Sequence, residues 1–393
     1  MARRHALSIL FLMGCAGAHD PTDAGPTDAA LADAAPSDAS IDAGRCVVPV
    51  ANEPVAPVPA RCAPGEVFFT DVGRRTQVVA TLPDGFYGTL GFSEMAESID
   101  RITPGAPGES LMEIPADTFP RRTIVEVGGE PLLVASSDTH MSVARIVTGY
   151  FQFLDPVWQR AIDNVRHVVG RPDGGLFVVT YGYEDPPAFQ IFDGCGGVVQ
   201  ERTLVDVGAT EERVRTLEVH APAEGTPVFS VFNGLSVRRL WGAAAGEPLR
   251  PISPEGCGAS SDALVVDGTI TWAWNCPESS TVYLREDEGP VHAIEFEETA
   301  GAVVHVALTE GPDDTQLLVV AQRDSYVFEA LGEDFDSVAS GRIDFSEPEV
   351  GPIWSVSSAT ARPIGATLLV EFHGVVRGDV PTAQQMLVDV CPR

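Results

Sequence analysis

Short apolar runs recur along the body of this chain, and each one follows a stretch rich in Gly, Pro and Asp. The runs contain mostly Val, Leu, Phe, Thr and Trp, and such runs bounded by turn-forming residues are typical of β-strands. They recur at intervals of 42 to 51 residues, with centres near 88, 134, 178, 229, 271, 319 and 369. The pattern therefore predicts a β unit that repeats about every 47 residues.

Regular β units of this length are the signature of a β-propeller, in which each unit forms one four-stranded blade. The third unit is the clearest, with strand-like runs at 165–170, 176–182, 188–194 and 198–204. These runs are apolar on both faces, as expected for a blade packed between two neighbours. We expect an all-β fold, a β-propeller of seven blades over residues 46–393, with six or eight blades left open by the irregular first and last units. Two β-sandwiches are the alternative fold.

Helix is nearly absent from the pattern. The best candidate is 155–169, where Asp155 would cap the helix, Pro156 would take its first position, and apolar residues fall on one face. This stretch overlaps the strand expected at 165–170. We therefore expect at most two helical turns, over residues 156–164.

The N-terminus follows a different pattern. Arg3 and Arg4 precede an apolar run, too short to span a bilayer, that ends in Leu12-Met13-Gly14-Cys15. This arrangement resembles a bacterial lipobox, although Met13 departs from the usual small or β-branched residue. The resemblance implies a lipoprotein signal peptide over residues 1–14, cleavage before Cys15, and acyl chains on the sulfur and new amino group of Cys15. An ordinary secretory signal, cleaved near Ala16-Gly17-Ala18, is the alternative.

Residues 15–45 would then form a tether. Asp recurs every three to five residues among Ala, Pro, Ser, Thr and Gly, and this composition prevents a packed core, so we expect disorder. The lipobox resemblance implies a bacterial cell envelope protein whose partner is the lipid bilayer, bound through acylated Cys15. Ala16 favours the outer membrane, because in enterobacteria an aspartate at that place signals retention in the inner membrane.

Composition excludes several classes of function. All 25 basic residues are arginine, which excludes a Schiff-base lysine, a P-loop lysine and a Ser–Lys dyad. Two of the arginines lie in the signal, so the mature chain would carry a net charge of −33. Because such a surface repels phosphate backbones, we expect no nucleic-acid partner.

Six cysteines remain besides Cys15, and an even number in an exported chain indicates disulfides. They are Cys46, Cys62, Cys195, Cys257, Cys276 and Cys391. Spacing favours the local pairs Cys46–Cys62 and Cys257–Cys276, which leaves Cys195–Cys391. A Cys62–Cys391 bond that joins the two ends of the propeller stays open.

Candidate chemistry is sparse, and the sequence contains none of the common nucleophile, zinc, dinucleotide or Walker motifs. Asp138 and His140 could form an acid–base pair in one loop, and His167 could reach a central channel. The histidines do not fall at equivalent positions of the repeat, which argues against a shared metal site. Trp272 and Trp274 lie on one face of a strand, where they could stack on a sugar or pack in the core.

Three functions remain open, and no cofactor is expected for the first of them. The first hypothesis is an envelope-anchored lipoprotein with a non-enzymatic binding or scaffold propeller, whose partners are envelope proteins or glycans. The second is a metal-dependent hydrolase or lyase built around the channel. The third is a carbohydrate-binding propeller, which fails if Trp272 and Trp274 are buried.

Overall fold

The strands of this protein pair with their neighbours in the chain. A computed structural model describes residues 46–48, 62–71, 77–82, 85–93, 96–102, 109–115, 121–137, 139–147, 153–171, 173–180, 188–203, 216–220, 228–233, 239–244, 250–258, 260–344, 352–356, 358–364, 367–377 and 380–391. Within these ranges the strands form seven antiparallel sheets, six with four strands and one with five. Cys15 and the tether lie outside the described residues.

The first three sheets run in chain order. The first contains β2 (Gln77–Leu82), β3 (Gly85–Ser93), β4 (Ala96–Ile102) and β5 (Glu109–Pro115). The second contains β6 (Arg121–Val127), β7 (Glu130–Ser136), β8 (His140–Val147) and β9 (Phe153–Ala161). The third contains β10 (Val165–Gly170), β11 (Leu176–Thr180), β12 (Ala188–Phe192) and β13 (Val198–Thr203).

The next three sheets repeat this order. The fourth contains β14 (Thr216–His220), β15 (Val228–Asn233), β16 (Arg239–Ala244) and β17 (Arg250–Pro251). The fifth contains β18 (Ser261–Val266), β19 (Thr269–Asn275), β20 (Thr281–Glu286) and β21 (His292–Glu295). The sixth contains β22 (Val303–Glu310), β23 (Gln316–Gln322), β24 (Ser325–Leu331) and β25 (Ser337–Asp344). Among the residues described in this part of the chain, two 3-10 helices of three residues lie between the strands, Glu298–Ala300 and Glu333–Phe335.

The seventh sheet joins the two ends of the described chain. It contains β26 (Ile353–Ser355), β27 (Ser358–Ile364), β28 (Thr367–Arg377), β29 (Val380–Cys391) and, beside β29, β1 (Glu66–Asp71). Its fourth strand therefore comes from the N-terminal side. The register runs from the pair Glu66 and Cys391 to the pair Asp71 and Met386.

The first strand of each sheet contacts the first strand of the next. The contacts follow the order β2, β6, β10, β14, β18, β22 and β27, and β27 in turn contacts β2. The seven predicted apolar runs coincide with the second strands and with β28. Sheets of consecutive strands arranged in this way form a β-propeller. The predicted all-β propeller is confirmed, and the alternative of two β-sandwiches is wrong.

The core lies between neighbouring sheets, so strands are apolar on both faces. In β19, Ala273 packs toward Leu318 and Val320 of the sixth sheet, whereas Trp272 and Trp274 pack with Leu240 of the fourth. Alternation along one strand thus supplies two different hydrophobic clusters. The four strands predicted in the third unit are all present, in the predicted order.

The helix predicted over 156–164 is wrong. Residues 153–161 form β9, the outer strand of the second sheet, where Pro156 pairs with Ala144. A bulge between Val143 and Ala144 lies at this point, and sheets tolerate proline in edge strands and at bulges. Pairing with β8 overrides the local helix signals. No helix among the described residues is long and apolar enough to cross a bilayer.

The disulfides correct two of the predicted pairings. Cys257–Cys276 forms as predicted, but Cys46 bonds to Cys195 and Cys62 bonds to Cys391. The expected pairs Cys46–Cys62 and Cys195–Cys391 are therefore wrong, and the alternative bond Cys62–Cys391 is the one present. Distance along the chain misled the prediction, because closing the fold brings residues 329 positions apart together.

Candidate functional site

The segment that precedes β1 and contains Cys46 and Cys62, which we call the N-terminal arm, is held at the turn between β12 and β13. Cys46 is bonded to Cys195 in this turn, and the Val47 backbone N–H donates to the Gly194 carbonyl at 2.9 Å. Arg145 Nη2 donates to the Cys46 carbonyl at 2.8 Å. Val47 itself is only 5% exposed, and it packs into the cluster between the second and third sheets. A covalent bond, two hydrogen bonds and apolar burial thus hold the same point.

Glycine is required where the arm docks. A Cβ on Gly194 would lie 2.2 Å from the Val47 carbonyl oxygen, which is too close for any residue with a side chain. The Asp193 carboxylate accepts the backbone N–H groups of Cys195 at 2.9 Å and Gly197 at 2.7 Å, which fixes the turn. The turn is therefore shaped to receive the arm.

A second attachment closes the seventh sheet. The Cys62–Cys391 bond lies at the start of β1 and the end of β29, and the Gly65 N–H donates to the Cys391 carbonyl at 2.5 Å. Strand pairing continues from this point through β1. The bond therefore holds the strand that completes the last sheet.

Side chains in first strands, or next to them, bond to the backbone of the next sheet. Ser260, which directly precedes β18, accepts the Val306 N–H at its Oγ at 2.8 Å, and Asp262 Oδ2 in β18 accepts the Leu308 N–H at 2.7 Å. One sheet further, His305 Nε2 accepts the Ala359 N–H at 3.0 Å. Since a buried backbone N–H without an acceptor is costly, these side chains stabilise the contact between first strands.

His305 performs this role as a neutral side chain. Burial lowers the pKa of His305 to about 4, although the nearby Asp262 carboxylate opposes this effect. Because Nε2 accepts the Ala359 N–H, Nδ1 carries the proton of the neutral ring. The imidazole therefore acts as a hydrogen-bond acceptor at neutral pH, with no proton to give from Nε2.

Sequence reasoning missed that two histidines do share a position in the repeat. His167 and His305 each follow a bulge two residues after a valine, in β10 after Val165 and in β22 after Val303. The expectation that the histidines are non-equivalent is therefore wrong for this pair. The shared signal Val-x-His at the start of the first strand could have identified it.

Arg362 in β27 forms a charged group with Glu371 and Glu126. Burial lowers the pKa of Arg362, whereas the carboxylates of Glu371 and Glu126 act in the opposite direction. Glu371 is fully buried, and Thr360 Oγ1 donates to it at 3.5 Å. Burial also raises the pKa of Glu126, against the effect of Arg362. The two acids outnumber the one guanidinium, so this group suits internal stabilisation better than capture of an anion.

The predicted acid–base loop is only partly described, since Asp138 lies outside the described residues. His140 is exposed at the start of β8, and its backbone N–H donates to Ser137 Oγ at 3.1 Å. Thr139 Oγ1 lies 2.8 Å from His140 Nδ1. Hydrogen bonds within one turn account for these polar groups. His167 lies in a different sheet, in β10.

No group of three or more His, Cys, Asp or Glu side chains that could hold a metal ion occurs within the described residues. The side chains of His220 and His373 lie outside that part of the chain, as does Asp138. The channel metal site consequently remains a hypothesis.

The tryptophan pair belongs to the core. Trp272 is 0% exposed and Trp274 is 1% exposed, and the Trp274 ring stacks on Tyr283 with centroids 6.0 Å apart. Gly242 of the fourth sheet lies flat against Trp272, since a Cβ there would lie 2.1 Å from the indole ring. The proposed stacking of a sugar on these two rings is wrong, because core packing buries both.

Comparisons with known proteins identify the fold alone. No protein-family model matches the chain, and no curated protein matches it significantly. The WD40 domain of Toxoplasma gondii coronin is similar, with a TM-score of 0.51 and 11% identity over 86% of this chain and 90% of that domain. The β-propeller domain of the Trilobed protease from Pyrococcus furiosus has a TM-score of 0.47 and 11% identity, over 82% of this chain and 95% of that domain. The likeness to the coronin domain supports a propeller and nothing more specific.

Proposed function

We propose that this protein is an envelope-anchored bacterial lipoprotein whose propeller is a non-enzymatic binding or scaffold module. One observation carries the proposal: the three disulfides use six of the seven cysteines, and the remaining one is Cys15 of the lipobox-like segment. Disulfides are typical of exported proteins. The cysteine that these three bonds leave over, at the end of the signal, is the residue that lipidation would use.

The seven sheets would then be seven blades of one closed ring. Contacts between successive first strands, and the return of β1 to β29, support this number. A closed ring gives a rigid body from which many turns project on two sides, and loops on rigid scaffolds are frequent binding surfaces.

A binding role is favoured over catalysis by what the polar side chains do. Ser260, Asp262 and His305 accept backbone N–H groups of neighbouring sheets. Trp272 and Trp274 fill the core. Because these side chains hold the sheets together, we assign partner recognition to the exposed turns. The partner would be an envelope protein or a glycan.

The absence of lysine gives a direct test of lipidation. The protein is purified from membranes of a bacterial host and treated with an amine-reactive dye. An N-acylated Cys15 leaves the mature chain without a primary amine, so we expect no labelling together with an intact mass raised by acyl chains. The Cys15→Ala variant keeps an α-amine and should label once.

A single-lysine variant, Glu333→Lys, is the positive control, because Glu333 is exposed and its label reports that the reagent works. Wild-type protein that labels once and carries no acyl mass would overturn the lipoprotein proposal. Acyl mass with a free α-amine would show that the sulfur is lipidated without N-acylation.

A further inference from the structure

The antiparallel sheets give the propeller two distinct sides. In each sheet the first and third turns lie on one side, which we call the turn side. The second turn and the connection to the next sheet lie on the other, which we call the crossover side. In the sixth sheet the turn side carries residues 311–315 and 332–336. Residues 323–324 and 296–302 lie on its crossover side, where the Asp324 N–H donates to the Ala300 carbonyl at 3.2 Å.

Both N-terminal attachments lie on the turn side. Cys195 is in the third turn of the third sheet, between β12 and β13. Cys391 ends β29, which is the third strand of its sheet, and it holds Cys62 at the same level. The third disulfide, Cys257–Cys276, joins a connection to a second turn and so lies on the crossover side.

We infer that the chain leading to Cys15 leaves the propeller from its turn side, at Cys46, so that an anchor at Cys15 holds this side, and not the crossover side, toward the membrane. This inference rests on the proposed lipidation of Cys15. The chain between Cys15 and Cys46 must leave from the point where Cys46 is bonded to Cys195. Cys62, the next cysteine along the chain, is held on the same side by the second disulfide.

The span of the tether is comparable to the separation of the two sides, so the side of attachment affects which side faces the membrane. A chain of about thirty residues that is disordered, as predicted for the tether, has a root-mean-square span of roughly 30 Å. The eight-residue strand β22 is roughly 25 Å long, so the two sides are separated by about that distance before the turns are added. Bringing the crossover side to the membrane would require the tether to pass around the rim and would use most of its average reach.

The chain offers a matched pair of positions for a test. Glu298 begins the 3-10 helix on the crossover side, and Glu333 begins the one on the turn side of the adjacent sheet. Both residues are exposed. Glu298→Lys and Glu333→Lys make the same charge change, and each introduces the only lysine of the full-length acylated protein.

A donor dye is attached to the single lysine, and the protein is reconstituted into phosphatidylcholine vesicles that carry acceptor dyes on lipid headgroups. We expect at least about twofold faster energy transfer from position 333 than from position 298, given their vertical separation. Equal transfer, or faster transfer from position 298, with both variants floating with the vesicles would overturn the inference. Failure of both variants to float would instead overturn the lipid anchor itself, and the inference with it.

Removing one attachment tests the cause of the difference. In a Cys46→Ser, Cys195→Ser background the tether ends at Cys62 and is 16 residues longer, still on the turn side. The order of the two transfer rates should persist while their ratio decreases. A ratio unaffected by this change would show that the arm does not set the orientation.

Discussion

Acidification should destabilise the folded protein through His305. In the folded state burial holds the pKa of this imidazole at about 4, and Nε2 accepts the Ala359 N–H. In the unfolded chain the same group titrates near 6.5. Between these values the unfolded chain binds a proton that the folded protein does not bind. The free energy of unfolding therefore rises with pH across this window, and this stabilisation is lost as the pH falls from 6.5 toward 4.

The gap between the two pKa values sets the magnitude. Each pKa unit corresponds to about 1.4 kcal/mol, so the loss of stability between pH 6.5 and pH 4 amounts to about 3 kcal/mol. Protonation would also place a donor on Nε2, opposite the Ala359 N–H. The hydrogen bond between the sixth and seventh sheets would then be replaced by two facing donors.

His305→Gln isolates the effect, because its amide oxygen can accept the same N–H and does not titrate. Urea unfolding would be followed by the fluorescence of the buried Trp272 and Trp274, from about pH 7.5 to pH 4. Carboxylates shared by the two proteins cancel in the difference between their free energies of unfolding. That difference should level off by about pH 7.5 and should move by about 3 kcal/mol against wild type as the pH falls to 4.

His305→Asn separates titration from the hydrogen bond. Its shorter side chain loses the acceptor, so it should add a pH-independent cost of about 1–3 kcal/mol to the same pH-dependent difference. A difference curve that is flat over the whole range for both variants would refute the reasoning. It would mean that the folded protein binds the proton as readily as the unfolded chain.

Three further changes test the packing described above. Replacing Cys62 and Cys391 by serine should lower the free energy of unfolding by about 5 kcal/mol, since that bond closes the longest loop, as measured by denaturant titration. Gly242→Ala should cost about 1–3 kcal/mol because its methyl group meets the Trp272 ring, measured in the same way. Asp262→Ala should cost about 1–3 kcal/mol and speed exchange of the Leu308 and Ala263 amide hydrogens, whose acceptor oxygens it removes, measured by hydrogen exchange.

Each of these changes has a control in the chain. Removing Cys257–Cys276, which closes a short loop, should cost about 3 kcal/mol, and a larger cost than for the long loop would contradict the entropic argument. Gly332→Ala would place a Cβ 3.2 Å from the Val338 side chain and 3.8 Å from the Asp336 carbonyl oxygen, so its effect should be mild. Asp262→Asn keeps an acceptor oxygen, so exchange as fast as in Asp262→Ala would assign the effect to charge instead of the Leu308 N–H.

Local pattern predicted most of the fold because the fold is built from local pairing. Residues 165–203 contain four strands in chain order, each pairing with the next, so short apolar runs separated by turns were sufficient. The error at 156–164 arose at an outer strand, where a proline and one-sided apolar spacing gave a helix signal. Only the pairing of β9 with β8 decides that stretch, and pairing is not visible in the residues of one strand.

Contacts between residues distant in the chain were not predicted from the sequence, for a related reason. The bond between Cys46 and Cys195 depends on where the arm docks, and the arm docks by burying Val47 between two sheets that are distant from it in the chain. His305 looked like one of several scattered histidines, since its role depends on the backbone of the following sheet. Repeat alignment would have paired it with His167, but the acceptor role follows only from the packing of first strands.

The order of the cysteines gives the two N-terminal disulfides different tasks. Cys46 and Cys62 are neighbours along the arm, yet they bond to different sheets, so breaking one bond leaves the arm held by the other. With an anchor at Cys15, as proposed, any pull along the tether reaches Cys46 first and passes through Cys195 into the third sheet. The strand β1, which joins its sheet only along β29, would then be spared a force that peels its hydrogen bonds apart one by one. Under this proposal the Cys46–Cys195 bond protects the strand that Cys62–Cys391 attaches, so the two bonds are not redundant.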